Sequence, residues 1–139
     1  MTETKVRHAL VEKLRSANCV AQPIESGVTG VGIPDLFVRT CKVDCWCEVK
    51  IAKPNKDWTW VRINWRPGQL RWIGEYVAHG GKVLLAVGFE SKQGEALALF
   101  EYPNFLQVYA GDDFSGLARK VGELRPFEGK RLVSIIDNL

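Results

Sequence analysis

Apolar positions in the first stretch of the chain recur at helical spacing. Val6, Ala9, Leu10, Leu14 and Ala17 are separated by charged and polar residues, the pattern of a helix with one buried stripe. A helix is predicted over Glu3 to Ala17, with Thr2 as its N-cap. The period then shortens. Cys19 to Ile24, Pro34 to Arg39 and Cys45 to Ala52 read as strands. The first runs into the glycine-rich segment SGVTGVG, and the last two are joined by a tight turn near Lys42 and Val43. Helical spacing returns in QLRWIGEYVAHGG, with Leu70, Ile73 and Val77 facing inward and Gly80-Gly81 closing the element. KVLLAVGF and EALALFEY are strand-like, joined by a polar turn around Ser91 to Gly94. After Pro103 come the short apolar segment NFLQVYAG, a short helix expected around Leu117, Val121 and Leu124, and a final strand-like RLVSII.

The order of helix, three strands, helix and two strands predicts an α/β fold, a mixed central sheet flanked by helices. A chain of 139 residues has room for one core but not comfortably for two. A single domain over 1–139 is expected, its core spanning about 2–102 and additions following over 103–139. The hydrophobic share of 46% and charged share of 25% are ordinary for a globular protein and argue against disorder. No apolar run approaches the ~20 residues needed to cross a bilayer. The start, MTETKVRHALVEKLRS, is polar throughout, so no signal peptide and a cytoplasmic location are expected, with no membrane partner. Cys19, Cys41, Cys45 and Cys47 are then expected to stay reduced. The spacing C-x3-C-x-C is a poor zinc pattern, because its last two members alternate along a strand. His8 and His79 are lone histidines, and Asp112-Asp113 fits a solvated turn or helix cap.

Ionisable residues stand out in GIPDLFVRTCKVDCWCEVK. If the two strands form a hairpin turning at Lys42-Val43, Asp35 faces Lys50 and Phe37 faces Glu48. Alternation puts Glu48 and Lys50 on one face, and Asp35 joins them across the ladder. Asp35 and Glu48 become diagonal neighbours, roughly 7–8 Å apart at the backbone. Two carboxylates so close repel, and one tends to hold a proton unless a cation neutralises them. Oxygen-only ligation suits Mg²⁺ or Mn²⁺, and a metal beside a lysine can hydrolyse a phosphodiester. Taken singly, Glu-x-Lys on a strand marks an ordinary solvated ion pair. The combination carries the weight: a glycine-rich loop, Gly-x-Pro-Asp at a strand start, and Glu-x-Lys at matching parity on the next strand.

These motifs resemble the PD-(D/E)XK nuclease superfamily, most closely its virus-type replication–repair (VRR-NUC) branch. GIPDLFV followed by WCEVK is similar to that branch's core, and PGQLRWIGEYVAHGGKVLLAV to its glutamine-bearing helix, Gly-Gly turn and strand. The likeness spans roughly Thr2 to Val87. It implies a restriction-endonuclease-like core in which Asp35, Glu48 and the Val49 carbonyl hold a metal and Lys50 is the catalytic lysine. It also implies that Gln69 starts the helix after the core and that Glu3 is the N-terminal acid, with Glu12 a weaker candidate. For Glu3 a helix-dipole role serves equally well.

The chain departs from the family pattern between Lys50 and Gln69, where it inserts KPNKDWTWVRINWRPG. From Lys50 to Trp72 there are six basic residues, Lys50, Lys53, Lys56, Arg62, Arg66 and Arg71, against the single acid Asp57. Four of the five tryptophans lie in the same stretch: Trp58, Trp60, Trp65 and Trp72. Bases and indoles together suit phosphate contact and base stacking, and Trp58, Trp60 and Arg62 alternate as one face of a strand. Packing or a dimer interface accounts for the tryptophans as well, and Trp72 belongs with the core. The net charge of +3 adds little, although Arg119-Lys120 and Lys130-Arg131 can extend a positive surface. The resemblance implies a Mg²⁺- or Mn²⁺-dependent endonuclease on branched DNA, similar to homodimeric Holliday-junction resolvases of phage or bacteria. The alternatives are a restriction-type or general endonuclease on linear duplex, and a DNA-binding module of the same fold without the chemistry.

Overall fold

The computed structural model describes residues 1–24, 32–118, 120–123 and 128–139, the last strand (120–123) as backbone. Helix α1 covers Glu3–Ser16, and the Thr2 hydroxyl caps it by accepting from the Lys5 N–H at 3.1 Å. Strands β1 (Val20–Pro23), β2 (Leu36–Arg39) and β3 (Asp44–Ile51) follow. Two short strands, β4 (Lys53–Pro54) and β5 (Trp60–Arg62), precede helix α2 (Gln69–Ala78). Then come β6 (Val83–Ser91), β7 (Gly94–Glu101), β8 (Val108–Ala110), α3 (Gly111–Leu117), β9 (Lys120–Glu123) and α4 (Gly129–Asp137).

The main sheet has the order β1-β2-β3-β6-β7-β9, and only the β3–β6 pair is parallel. That parallel pair is reached by a crossover through α2, as parallel strands require. The mixed central sheet expected from the element order is present. Both of its faces are covered, which is why VLLAVGF is apolar without alternation. On one face Val6, Leu10 and Leu14 of α1 and Leu132 and Ile136 of α4 pack with Leu36, Val38, Leu84 and Ala86. On the other, Ile73 of α2 packs with Leu85, Val87, Phe100, Tyr109 and Phe114.

A second sheet, β4-β5-β8, is built from the basic, tryptophan-rich insertion and from the segment after Pro103. The insertion is therefore a piece of folded structure on the α2 side of the molecule, joined to the core by Val61 and Ile63.

Two expectations fail in the last part of the chain. RLVSII is not a strand but lies in α4: Leu132 and Ile136, one helical turn apart, both bury against α1. The helix expected around Leu117 and Val121 is displaced, since α3 ends at Leu117 and Val121 belongs to β9, paired with β7. Short apolar runs are ambiguous between helix and strand, and tertiary pairing decides them. Asp112 and Asp113 lie in the first turn of α3, where negative charge suits the helix dipole. The segment 25–31, Arg119 and Leu124 lie outside the described residues.

Candidate functional site

The site begins with the β2–β3 hairpin. Thr40 fixes its turn one residue earlier than the sequence suggests: its hydroxyl accepts from the Lys42 and Val43 N–H groups at 3.1 and 3.0 Å, and its own N–H donates to the Val43 carbonyl. The ladder runs Arg39 to Asp44, Phe37 to Trp46 and Leu36 to Cys47. Asp35, the next residue, therefore comes opposite Glu48 and not Lys50. This corrects the expected register by two residues. Parity survives the shift, so Asp35, Glu48 and Lys50 still share a face.

β2 ends at Leu36, which leaves the Val49 backbone without a strand partner on that side. Asp35 takes the place of the missing strand, its carboxylate accepting from the Val49 N–H at 3.1 Å. The N–H and C=O of one residue point to the same side of an antiparallel pair, so the Val49 carbonyl also turns towards Asp35.

α2 delivers Gln69 from the other direction. Gly68 precedes it with a left-handed backbone, φ 85°. Gly32, at φ +97°, lies so close that a Cβ there would come within 2.6 Å of the Gly68 carbonyl oxygen. Only glycine fits at that approach, and it brings the start of the Pro34-Asp35 segment against the N-terminus of α2.

Gln69 connects the charged groups. Its Oε1 accepts from Lys50 Nζ at 2.9 Å and from the Arg66 N–H at 2.8 Å. Its Nε2 donates to Glu48 Oε1 at 3.1 Å. Lys50 Nζ stands 3.6 Å from the same Glu48 oxygen and 5.2 Å from the centroid of Trp65. Glu48, Lys50 and Gln69 are 1, 3 and 4% exposed. Charges this deep are kept only where partners compensate for lost hydration.

Compensation is incomplete at one atom. Glu48 Oε2 is buried and has no hydrogen-bond partner among the described residues. Burial first, and the negative charge of Asp35 next, push the Glu48 carboxyl up to about 9; Lys50 opposes the shift and Glu3 adds to it. Glu48 thus holds a proton at neutral pH when no cation is bound. Glu3, the first residue of α1, is half-buried and close enough for its charge to be felt at Glu48, whereas Glu12 is exposed further along the helix. Among the described residues, no three His, Cys, Asp or Glu side chains gather into a metal-binding set. The oxygen donors brought together are the carboxylates of Asp35 and Glu48, with the Val49 carbonyl turned towards them.

The structure sorts the tryptophans. Trp72 stacks on Tyr76 and meets Trp46 edge-on. Trp65 stacks on Phe105, and its indole N–H donates to the Leu106 carbonyl. Trp58 has a left-handed backbone, φ 59°, and its ring meets Phe89 and Phe114. It lies ahead of β5, so the expected common face of Trp58, Trp60 and Arg62 reduces to the last two. Lys53, Lys56, Arg62, Arg66 and Arg71 are all exposed, and Arg71 is paired with Glu75 at 3.2 Å. The contact of Trp65 with Lys50 had no signal in the sequence, since nothing in the spacing links β3 to the loop before α2. Burial pushes the Cys45 thiol up to about 12 and raises that of Cys47 too, so both stay protonated.

A mixed sheet with α1 and α4 on one face and α2 on the other, carrying buried Glu48 and Lys50 beside Asp35, defines an α/β fold with a charged cluster at the end of its central hairpin. Among solved structures it is similar to Hjc, a Holliday junction resolvase from the archaeal hyperthermophile Archaeoglobus fulgidus, with a TM-score of 0.60 and 14% identity over 88% of this chain and 96% of that one. At that identity the likeness is one of fold. No family model matches the chain, and no curated protein matches it. The resemblance to the VRR-NUC branch thus rests on the motifs alone.

Proposed function

We propose that the chain is a metal-dependent DNA endonuclease that cuts branched DNA, in the manner of a Holliday-junction resolvase. One observation carries the proposal: Asp35, Glu48, Lys50 and Gln69 converge in a buried cluster on a fold shared with a resolvase. The donor set fits a hard divalent cation. It is all oxygen, it includes a buried carboxylate oxygen without a partner among the described residues, and burial, with the negative charge of Asp35 beside it, holds a proton on Glu48 that a cation would displace. Asp35, Glu48 and the Val49 carbonyl would hold Mg²⁺ or Mn²⁺, and Glu3 stands behind them as a further negative charge.

When bound, such an ion polarises the phosphoryl group and lowers the pKa of an attacking water. The chain's own residues do the rest. Lys50, oriented by Gln69, presents its ammonium to a non-bridging phosphate oxygen, where negative charge builds as water attacks phosphorus and the ester oxygen leaves. Gln69 also holds the Arg66 backbone N–H, linking the loop before α2 to the reacting group. Exposed Lys53, Lys56, Arg66 and Arg71 supply phosphate contacts that are indifferent to sequence. Symmetric cutting of a four-way junction requires two sites related by a two-fold axis, and so a homodimer.

The test is cleavage of a labelled immobile four-way junction and a matched linear duplex, with Mg²⁺ and with chelator. Paired nicks in the junction alone, lost in chelator and in Lys50→Ala, are expected. Equal cutting of both substrates would instead make the protein a general endonuclease. Tight binding without cutting of either would make it a DNA-binding module.

A further inference from the structure

The outer face of the β4-β5-β8 sheet has no covering element among the described residues. Its register is fixed: Lys53 pairs with Arg62 and Arg62 with Val108, while Trp60 pairs with Ala110. Pro54, Val61 and Tyr109 make up the inner row, and Val61 and Tyr109 are fully buried. The outer face is thus a row of Lys53, Arg62 and Val108 beside a row of Trp60 and Ala110. Trp60 is 41% exposed and Val108 50%. The Arg62 guanidinium lies 5.9 Å from the Trp60 ring, and opposite Trp60 stands Ala110, with only a methyl side chain.

Trp58, Trp65 and Trp72 each pack against other rings. Trp60 makes no ring–ring contact among the described residues, and its partner is a cation. The acid of the insertion, Asp57, is exposed and accepts from Asn55 and Thr59, bonds that draw its pKa down. Its carboxylate is held by those neighbours rather than by Arg62 or Lys53. Three residues of extended chain span at most about 11 Å, which bounds the distance from Lys53 to Lys50. β4 thus starts close in the chain to the strand that carries the candidate site.

We propose that this face binds single-stranded DNA, with an unpaired base stacked on Trp60 and the adjoining phosphates on Arg62 and Lys53. An indole flanked by cations is the arrangement that holds unpaired bases without regard to sequence. Duplex DNA keeps its bases stacked inside and cannot use Trp60. A two-fold contact would bring together two copies of a face that carries Lys53 and Arg62 and no acid, so like charge opposes it. The inference rests on the nuclease proposal and narrows its substrate to branched DNA that exposes unpaired bases within reach of the cut.

Binding measured in chelator separates this inference from catalysis. Fluorescence anisotropy with a labelled oligothymidylate and with a duplex of equal length is the assay. In Trp60→Ala, affinity for the single strand should fall about tenfold, with Trp60→Phe retaining most of it and the duplex affinity unchanged. Arg62→Ala should lower the slope of log affinity against log salt on the single strand by about 0.7. Equal single-strand binding by Trp60→Ala and unmodified protein would overturn the inference. So would Trp60→Ala converting a dimer to a monomer by sedimentation, since the face would then be a subunit interface.

Discussion

Glu48 has three neighbours that set its state: Asp35 across the hairpin, Lys50 on its own strand and Gln69 from α2. Among the described residues only one of its oxygens has a hydrogen-bond partner. Its carboxyl is raised from 4.5 to about 9, so between those values the folded chain binds a proton that the unfolded chain releases. The Glu48 contribution to stability is therefore full below about pH 4.5 and is lost as pH rises towards 9. Thermal unfolding in chelator should show a midpoint that falls over this window, with a flatter profile in Glu48→Gln, which carries no proton to lose. Asp35, Glu48 and Lys50 were legible as residues because alternation along a strand survives a register error of two. Their burial was not legible. Glu-x-Lys looks solvated until β6 and α2 close over it.

At the scale of elements, the site depends on two segments meeting at glycines. Gly32 approaches the Gly68 carbonyl with a backbone that L side chains rarely adopt. Gly32→Ala should destabilise the fold by about 1–3 kcal/mol and lower cleavage beyond that loss, because Asp35 and Gln69 would be pushed apart. Denaturant midpoints paired with cleavage rates would separate the two effects. α4 makes a contrasting case. It covers the sheet face away from Gln69, through Leu132 and Ile136. Leu132→Ala should cost about 2–5 kcal/mol in denaturant unfolding, while cleavage by the folded fraction stays unchanged. The first helix, the hairpin strands, α2 and the β6–β7 pair could be read from periodicity because each is long or tightly patterned. α3, β9 and α4 could not. Their apolar runs are short, and partners distant in sequence decide their form.

Across the whole molecule, the sheet edges limit how copies can associate. At the β1 edge the Arg15 guanidinium donates to the Ala21 carbonyl at 3.2 and 2.9 Å, and Pro23 has no N–H to offer. An edge blunted in this way resists strand addition, so the proposed dimer should not form through β1. Sedimentation should then show a dimer that survives Val20→Lys, a change at an exposed β1 position. The fold itself followed from the order of elements. The second sheet did not, because β5 pairs with β8 across more than forty residues of sequence, and neither strand has a pattern that announces the other.

The proposed cation site at Asp35 and Glu48 holds a proton until the ion binds. Calorimetric titration with Mn²⁺ near pH 7.5, repeated in buffers of different ionisation enthalpy, measures both binding and proton release. One site per chain is expected, with release of about one proton on binding, binding retained in Lys50→Ala, and binding lost in Asp35→Asn and Glu48→Gln. Binding without proton release, or binding that persists when both carboxylates are replaced, would contradict it.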